Sequence, residues 1–349
     1  MELNFNFVFT MENSVKLLTC FSPDEILSLL SRERHVVVII DSKVKQLYGN
    51  YFPYPQIEID ATENNKTLEN LSLIADKLMD AGTDRDSFIL AVGGGITTDI
   101  VGFAASVFYR GVRFGFVPTT LLAQVDASIG GKNGVNSNGY KNILGTITQP
   151  QFTLLCPAFL ETLPMEEFLG GASEMLKTFV IGDRDSFFKS TALLNGITKR
   201  KLQKGDIDAI APYAQKAASI KAAIVERDMY EKGERKQLNL GHTFAHALEK
   251  KTGMPHGQAV AIGVCMAARL SVKLSLLDDA EAKTIENSFK STGLETHSPV
   301  PASELAKAMI MDKKKSGDTI SFILIERIGK CITHPVNIDA LEGVIYDLS

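Results

Sequence analysis

No stretch of this chain is long and apolar enough to be read as a membrane span. The longest weakly charged run, residues 87–109, carries Asp99 near its middle with a glycine triplet and two threonines, and a carboxylate at mid-bilayer is costly. Cysteine is scarce: the four in 349 residues lie far apart with no CxxC pair. That excludes a disulfide framework and fits reduced thiols in a cytoplasmic enzyme. Neither sign of charge dominates, since 37 basic against 41 acidic residues leave a net charge of −4. With no basic block to meet nucleic acid or an anionic membrane, the expected partners are small molecules. Low-complexity tracts and fixed-period repeats are absent as well. The opening MELNFNFVFTMENSVKL alternates as a strand does and lacks the basic n-region and apolar core of a signal peptide.

What is present divides in two. Short β-branched or apolar runs at 35–41 (HVVVIID), 56–60, 88–92, 114–118 and 152–157 alternate with helical patterns at 67–81 and 98–109. Between 67 and 81 the apolar positions Leu68, Leu71, Ile74, Ala75 and Leu78 recur at helical spacing until Gly82 closes the element. Strands alternating with helices predict a mostly parallel sheet. After Pro157 the pattern turns helical, over 165–181, 185–194, 207–229, 240–250, 258–276, 280–291 and 302–313, with extended pieces only at 319–324 and 330–334. The expectation is an α/β domain over 1–157 and an all-helical domain over 158–349, with the active site in the cleft between them.

Three of the six histidines fall in LNLGHTFAHALEKKTGMPHGQAV, residues 238–260. His242 and His246 are four apart, so on a helix they stand on one face. A Gly-Met-Pro turn then ends that helix and lets a second one, opening near His256, bring its ring back to the pair. Imidazole nitrogens suit zinc or a similar ion, and a carboxylate from elsewhere completes a His-His-Glu set. The motif is not HEXXH, because Thr243 stands where its Glu would be, so a metalloprotease is disfavoured.

Four further motifs carry chemistry. AVGGGITTDIVGF, 91–103, ends a strand in Gly93, Gly94 and Gly95 and opens a helix, the arrangement that meets a pyrophosphate; Thr98 occupies the third glycine position of GxGxxG, so it is not that fingerprint. Tight packing alone is the plainer reason for the triplet. Asp41, ending an earlier strand, is the natural acid for an adenosine ribose, and Glu63 with Lys66 suits the same half. Residues 117–142 read as a long polar binding loop holding Asp126, Lys132, Lys141 and Asn142. GGASEMLKTFVI, 170–181, puts Glu174 and Lys177 on one helix face, either as a surface ion pair or with Glu174 as the missing ligand. Arg235 and Asn239 precede His242, Lys221 lies on the preceding helix, and DKKK at 312–315 adds Lys313 and Lys314. Together these cations suit a small substrate bearing a phosphate and a carboxylate.

In order and spacing, GGGITTDIVGF, YRG, VPTTLLAQVDASIGGKNGVN with KN, GGASEMLK, and LNLGHTFAHALE with HGQAVAIG resemble the 3-dehydroquinate synthase family of the sugar-phosphate cyclases, over most of the chain. The resemblance implies a homodimeric, cytoplasmic lyase of the shikimate pathway, with a Rossmann-like α/β N-terminal domain that binds NAD and a helical C-terminal domain that holds one zinc or cobalt ion. Its reaction turns 3-deoxy-D-arabino-heptulosonate 7-phosphate into 3-dehydroquinate and phosphate by transient oxidation, phosphate elimination, re-reduction and aldol closure. It implies Glu174, His242 and His256 as metal ligands, and it moves His246 to the substrate phosphate, whereas spacing alone gave His246 equal standing as a ligand. Asp126, Lys132, Lys141, Asn142, Lys177, Lys221, Arg235, Asn239 and one of Lys313 or Lys314 match pocket positions, and Arg110 matches a phosphate contact given across the dimer. Lys132, Asn142, His246, Arg110 and Asp126 take the catalytic roles. Asp41, Glu63, Lys66, Gly93, Gly94, Gly95, Asp99, Thr119 and Thr120, with Lys132 and Lys141, match cofactor contacts. Two departures stand out: the link between His246 and His256 is short, and ATENNK lacks the glycine that precedes the family's Glu. Rival readings are a cyclase for another sugar phosphate, a metal- and NAD-dependent polyol dehydrogenase, and a cofactor sensor without catalysis.

Overall fold

The computed structural model describes residues 15–20, 22–313, 318–346 and 348, with backbone alone for 311–313. The strand expected at the start of the chain falls largely on residues 1–14, outside the described residues. The chain forms two compact units. The first takes the described residues up to Leu163 and also Ala214–Tyr230; the second takes Pro164–Tyr213 and the described residues from Glu231 onward. A single break near Pro157 leaves that return of the chain out.

In chain order the first unit has strands β1 (Leu17–Thr19), β2 (Val36–Asp41), β3 (Gln56–Ile59), β4 (Phe88–Gly93), β5 (Arg113–Pro118), β6 (Lys132–Ser137), β7 (Tyr140–Ile147) and β8 (Thr153–Leu155). Six of them form a parallel sheet in the order β1-β8-β5-β4-β2-β3. Both faces of such a sheet are covered, so its strands read as nearly unbroken apolar runs. Alternation still sorts their side chains. Val36, Val38, Ile40, Phe88, Leu90 and Val92 enter one core with Phe52 and Phe159. Val37, Ile39, Ile89 and Ala91 enter the other, with Ile74 and Leu78 from the helix Leu68–Asp80 and Ile100 and Val101 from the helix Gly95–Val107.

Residues 117–142 are not the long loop their composition suggests. A helical turn, Ala123–Ala127, is followed by the antiparallel hairpin β6–β7. Asn138 and Gly139 connect the strands at φ +50° and +79°, the pair of left-handed residues that a two-residue type I′ turn requires. Polar residues fill β6, and β7 is exposed along almost its whole length, so the usual apolar signature of a strand is missing.

The second unit is helical, as expected, with one addition. Its helices include Met165–Gly182, Arg184–Ile197, His242–Thr252, His256–Lys273, Asp279–Ser291 and Ala302–Lys313. The hairpin β9 (Thr319–Arg327) and β10 (Lys330–Asn337), turning at Gly329 with φ +92°, extends the two pieces read as strands. Glycines let three helices approach closely. A Cβ at Gly257 would lie 2.2 Å from the Cα of Gly170, and one at Gly263 would lie 2.2 Å from the carbonyl oxygen of Gly241. No helix among the described residues is long and apolar enough to cross a membrane.

Candidate active site

Three elements of the second unit converge on one point. Glu174 lies in the middle of the helix Met165–Gly182, His242 opens the helix His242–Thr252, and His256 opens the next. Gly253 ends the middle helix at φ +71°, its N–H donating to the Glu249 carbonyl at 2.9 Å. This left-handed cap turns the chain, and Pro255 leads straight into His256. One ligand atom each from Glu174, His242 and His256 lies within 4.8 Å of the others. His256 Nε2 stands 3.2 Å and His242 Nε2 3.6 Å from Glu174 Oε1.

The outer nitrogens of both rings are engaged. His242 Nδ1 donates to the Leu240 carbonyl at 3.2 Å and His256 Nδ1 to Glu249 Oε1 at 2.7 Å; His242 Nε2 keeps its lone pair, and His256 Nε2, which donates to Glu174 Oε1 at 3.2 Å, presents one as soon as a cation takes the place of that proton. Two imidazoles held through Nδ1 in this way, facing one buried carboxylate, suit a borderline-soft divalent cation with room for a further oxygen ligand. His246 is outside this trio. Its ring centroid is 5.5 Å from that of His242, and it is exposed to a cavity of about 350 Å³ whose lining includes His242, Asn239, Glu231, Lys236 and Lys250.

Electrostatics in the trio are polarised. Burial raises the Glu174 carboxyl, but the Lys177 ammonium 2.5 Å away and the histidines outweigh it and hold the group well below the usual carboxylate range. Burial and then the Lys177 charge pull His242 down to about 3. Burial also acts against protonated His256, yet its bonds to Glu174 and Glu249 push it up to about 10. A cation entering here would displace that proton. Lys177 is fully buried beside the Glu174 carboxylate, and Arg235 is buried as well; Asn239 donates to Glu231 Oε1. The backbone of Lys313 ends its helix without a described side chain, and Lys314 lies outside the described residues.

In the first unit the expected cofactor residues gather at the carboxyl ends of the parallel strands. Asp41 ends β2, Gly93 ends β4, and Thr119 and Thr120 follow β5, with the Thr119 N–H donating to the Gly93 carbonyl at 2.9 Å. Strand order reverses between β2 and β4, and ligands of open α/β sheets bind outside such a switch point. The helix Gly95–Val107 opens there with no side chain capping its first N–H groups, as an anion-binding end requires. Packing also explains the triplet: a Cβ would meet Thr97 at Gly93, Thr120 at Gly94 and Ala127 at Gly95. Asp41 Oδ1 is already engaged, accepting from the N–H groups of Lys43 and Val44 at 2.9 and 3.1 Å.

Lys66 is buried and donates to Asp99 and to Asn142 Oδ1, while Asn136 Nδ2 donates to Glu63 Oε1 at 2.8 Å. These bonds dock residues 63–66 on the β6–β7 hairpin, which also carries Lys132 and Lys141. Burial pushes Asp99 up to about 6 against the pull of Lys66. Lys221, on the helix Lys204–Arg227, donates to the Asp126 carbonyl and Oδ1, both at 2.7 Å. Tyr109, Arg110 and Gly111 all have positive φ, at 48°, 67° and 121°, a strained turn that leaves Arg110 exposed.

The sequence reading passed over Glu249 and the cavity residues Glu231, Lys236 and Lys250. The signal for Glu249 was spacing: 242, 246 and 249 fall on one helical face.

A doubly covered parallel sheet with a glycine turn at its switch point, and a helical unit holding a carboxylate and two imidazoles, form the architecture of the sugar-phosphate cyclases. The structure resembles ValA, a 2-epi-5-epi-valiolone synthase from Streptomyces hygroscopicus subsp. jinggangensis 5008 with NAD+ and Zn2+ bound, at TM-score 0.86 and 26% identity over 97% of this chain and 98% of that one. The fold also matches a 2-deoxy-scyllo-inosose synthase complexed with carbaglucose-6-phosphate, NAD+ and Co2+, at TM-score 0.81 and 22% identity over 98% and 99% of the two chains. Within this class, the chain belongs to the 3-dehydroquinate synthase family: the family's N-terminal model matches residues 56–170 and its C-terminal model residues 171–315. Its relatives include 3-dehydroquinate synthases of Sulfurovum sp. (strain NBC37-1), 40% identical over 84% of this chain and 83% of that protein, and of Acidithiobacillus ferrooxidans (strain ATCC 53993 / BNL-5-31), 40% identical over 85% and 84%.

Proposed function

We propose that the protein is a phosphate-eliminating lyase that converts 3-deoxy-D-arabino-heptulosonate 7-phosphate into 3-dehydroquinate and phosphate, a step toward the aromatic amino acids. The observation that carries this is the Glu174, His242 and His256 trio, preset to hold one zinc or cobalt ion, in a chain about 40% identical to 3-dehydroquinate synthases. When bound, the cation acidifies a substrate alcohol and NAD takes up and returns a hydride, so the dinucleotide is not consumed.

The chain's own residues supply position and charge. Gly93, Gly94, Gly95, Asp99, Thr119 and Thr120 with Asp41, Glu63, Lys66, Lys132 and Lys141 hold the dinucleotide. Lys132, Asn142, His246 and Arg110 orient the substrate phosphate so that one of its own oxygens can take the proton lost before elimination, which removes the need for a strong protein base. Asp126 acts beside them, held by Lys221. Lys141, Lys177, Lys221, Arg235, Asn239 and one of Lys313 or Lys314 fix the remaining polar groups, the carboxylate above all. Arg110 serves the site of a second copy in a homodimer, and the exposed apolar residues Tyr140, Ile143 and Ile147 of β7 support such an interface. Four free buried thiols support a cytoplasmic location.

Phosphate release from the heptulosonate phosphate with catalytic NAD, measured before and after chelation, tests the proposal. Release that stops on chelation and returns with Zn2+ or Co2+ is expected; none after restoring metal and NAD overturns it. The likeness to a valiolone synthase favours one second reading, a sister cyclase, for which a sugar phosphate without the carboxylate would turn over instead. Stoichiometric NADH from a plain polyol would indicate a dehydrogenase.

A further inference from the structure

We propose that Glu249 is a positioning residue of the metal centre, fixing the ring of His256 so that its Nε2 faces the cation; this rests on the metal reading above. Glu249 Oε1 lies 2.7 Å from His256 Nδ1, and the Glu249 side chain is only 9% exposed while that of His256 is 37% exposed. A half-exposed imidazole at the first position of a helix can turn either nitrogen inward, and in solution the two tautomers are close in energy. A carboxylate on Nδ1 removes that freedom: it accepts only from Nδ1–H, so the proton a cation displaces is the one on Nε2, which donates to Glu174 Oε1 at 3.2 Å, and the lone pair it leaves faces the cation.

The placement of Glu249 carries costs that the bond to His256 offsets. A carboxylate near a helix C-terminus opposes the helix dipole, and burying it adds a desolvation cost; its neighbours Lys250 and Lys251 are the residues that suit this end of the helix. The three ligands are also held unequally. His242 leans on the neutral carbonyl of Leu240 at 3.2 Å, whereas His256 has a charged acceptor at a shorter distance, and charge-assisted bonds are the stronger kind. Both histidines open a helix after a turn, but the His256 side chain is 37% exposed against 15% for His242, so less packing holds its ring and its orientation depends more on an outside partner.

The test is Co2+ titration of the metal-stripped full-length protein, read by the visible absorption of the bound ion, beside the thermal midpoint of the same metal-free samples. Glu249→Leu should bind Co2+ about 10–100-fold more weakly, with an altered spectrum. Glu249→Gln, whose amide oxygen still accepts from Nδ1–H, should recover much of that loss and guards against a Leu variant that fails to fold. A purely structural role would lower the metal-free midpoint in both variants and leave Co2+ affinity unchanged, and that outcome overturns the proposal. Equal losses in the Gln and Leu variants overturn it too. If the wild-type protein takes up no Co2+, the metal reading fails and this proposal with it, whereas wild-type binding matched by Glu249→Leu sinks the positioning role alone.

Discussion

Gly257→Ala probes how tightly the fold dictates the metal donors. The added Cβ would stand 2.2 Å from the Cα of Gly170, 2.6 Å from its oxygen and 2.7 Å from its carbonyl carbon. Carbon atoms in contact keep about 3.5–4.0 Å, so the shortfall is roughly 1.3–1.8 Å. Every atom met is backbone, so no side chain can rotate away and the helices Met165–Gly182 and His256–Lys273 must part. Overpacking of this kind costs about 1–3 kcal/mol, which lowers the thermal midpoint by about 2–4 °C per kcal/mol in a unit of this size. The donors suffer more. Glu174 is one turn beyond Gly170 and His256 is next to Gly257, so their 3.2 Å approach lengthens, while ligand distances tolerate only about 0.2 Å. We expect a folded variant whose Co2+ affinity drops on the order of tenfold or more, a loss of about 1.4 kcal/mol. Gly196→Ala is the control: nothing lies within 4 Å of its Cβ on an exposed part of a helix, and alanine there should be neutral or stabilise by up to about 1 kcal/mol. Wild-type midpoint and Co2+ affinity in Gly257→Ala would refute the reasoning.

Two other substitutions separate roles within the sites. His242→Ala should lose bound metal and turnover together, whereas His246→Ala should keep its metal and lose rate, as metal analysis beside a phosphate-release assay will register; equal metal loss in both contradicts the division. Asp99→Asn addresses pH. An unfolded aspartate titrates near about 3.9, and Asp99 in the fold near about 6, so between those values the native state holds the extra proton. The stability this group contributes is full below the lower value and lost as pH climbs through the upper one. The thermal midpoint of the wild type relative to Asp99→Asn should therefore fall from pH 4 to pH 7, and a constant difference would show that Lys66 fully compensates the burial.

Much of the first unit was readable from residue order. Residues 36–40 (VVVII) and 88–92 (FILAV) are buried on both faces and say so by being apolar throughout, and Gly93 to Gly95 mark the turn where a strand hands over to a helix. The β6–β7 hairpin was hidden because β6 is polar apart from Gly134 and Val135 although its middle is buried, while the exposed β7 mixes polar and apolar residues without alternation; Asn138–Gly139 was the one local cue, and composition outweighed it. The return of 214–230 to the first unit was illegible because helical periodicity says which face is apolar, not which core receives it. At the metal trio, spacing gave His242 and His246 the same face and stopped there. Which ring joins Glu174 depends on the turn at Gly253 and the close approach of Gly170 to Gly257, properties of backbone geometry that a list of ligand types does not contain. Resemblance to the family separated the two histidines where spacing did not.

The pairing of Lys221 with Asp126 also bears on how the molecule is made. A ribosome has finished every strand of the large sheet by Leu155, yet the cation that meets Asp126 is translated 66 residues later, after the chain has begun its second body. Cutting the gene after codon 163 would thus yield a fragment lacking part of its own interior. A stable excised first unit would need 214–230 grafted back on, for instance by circular rearrangement of the reading frame.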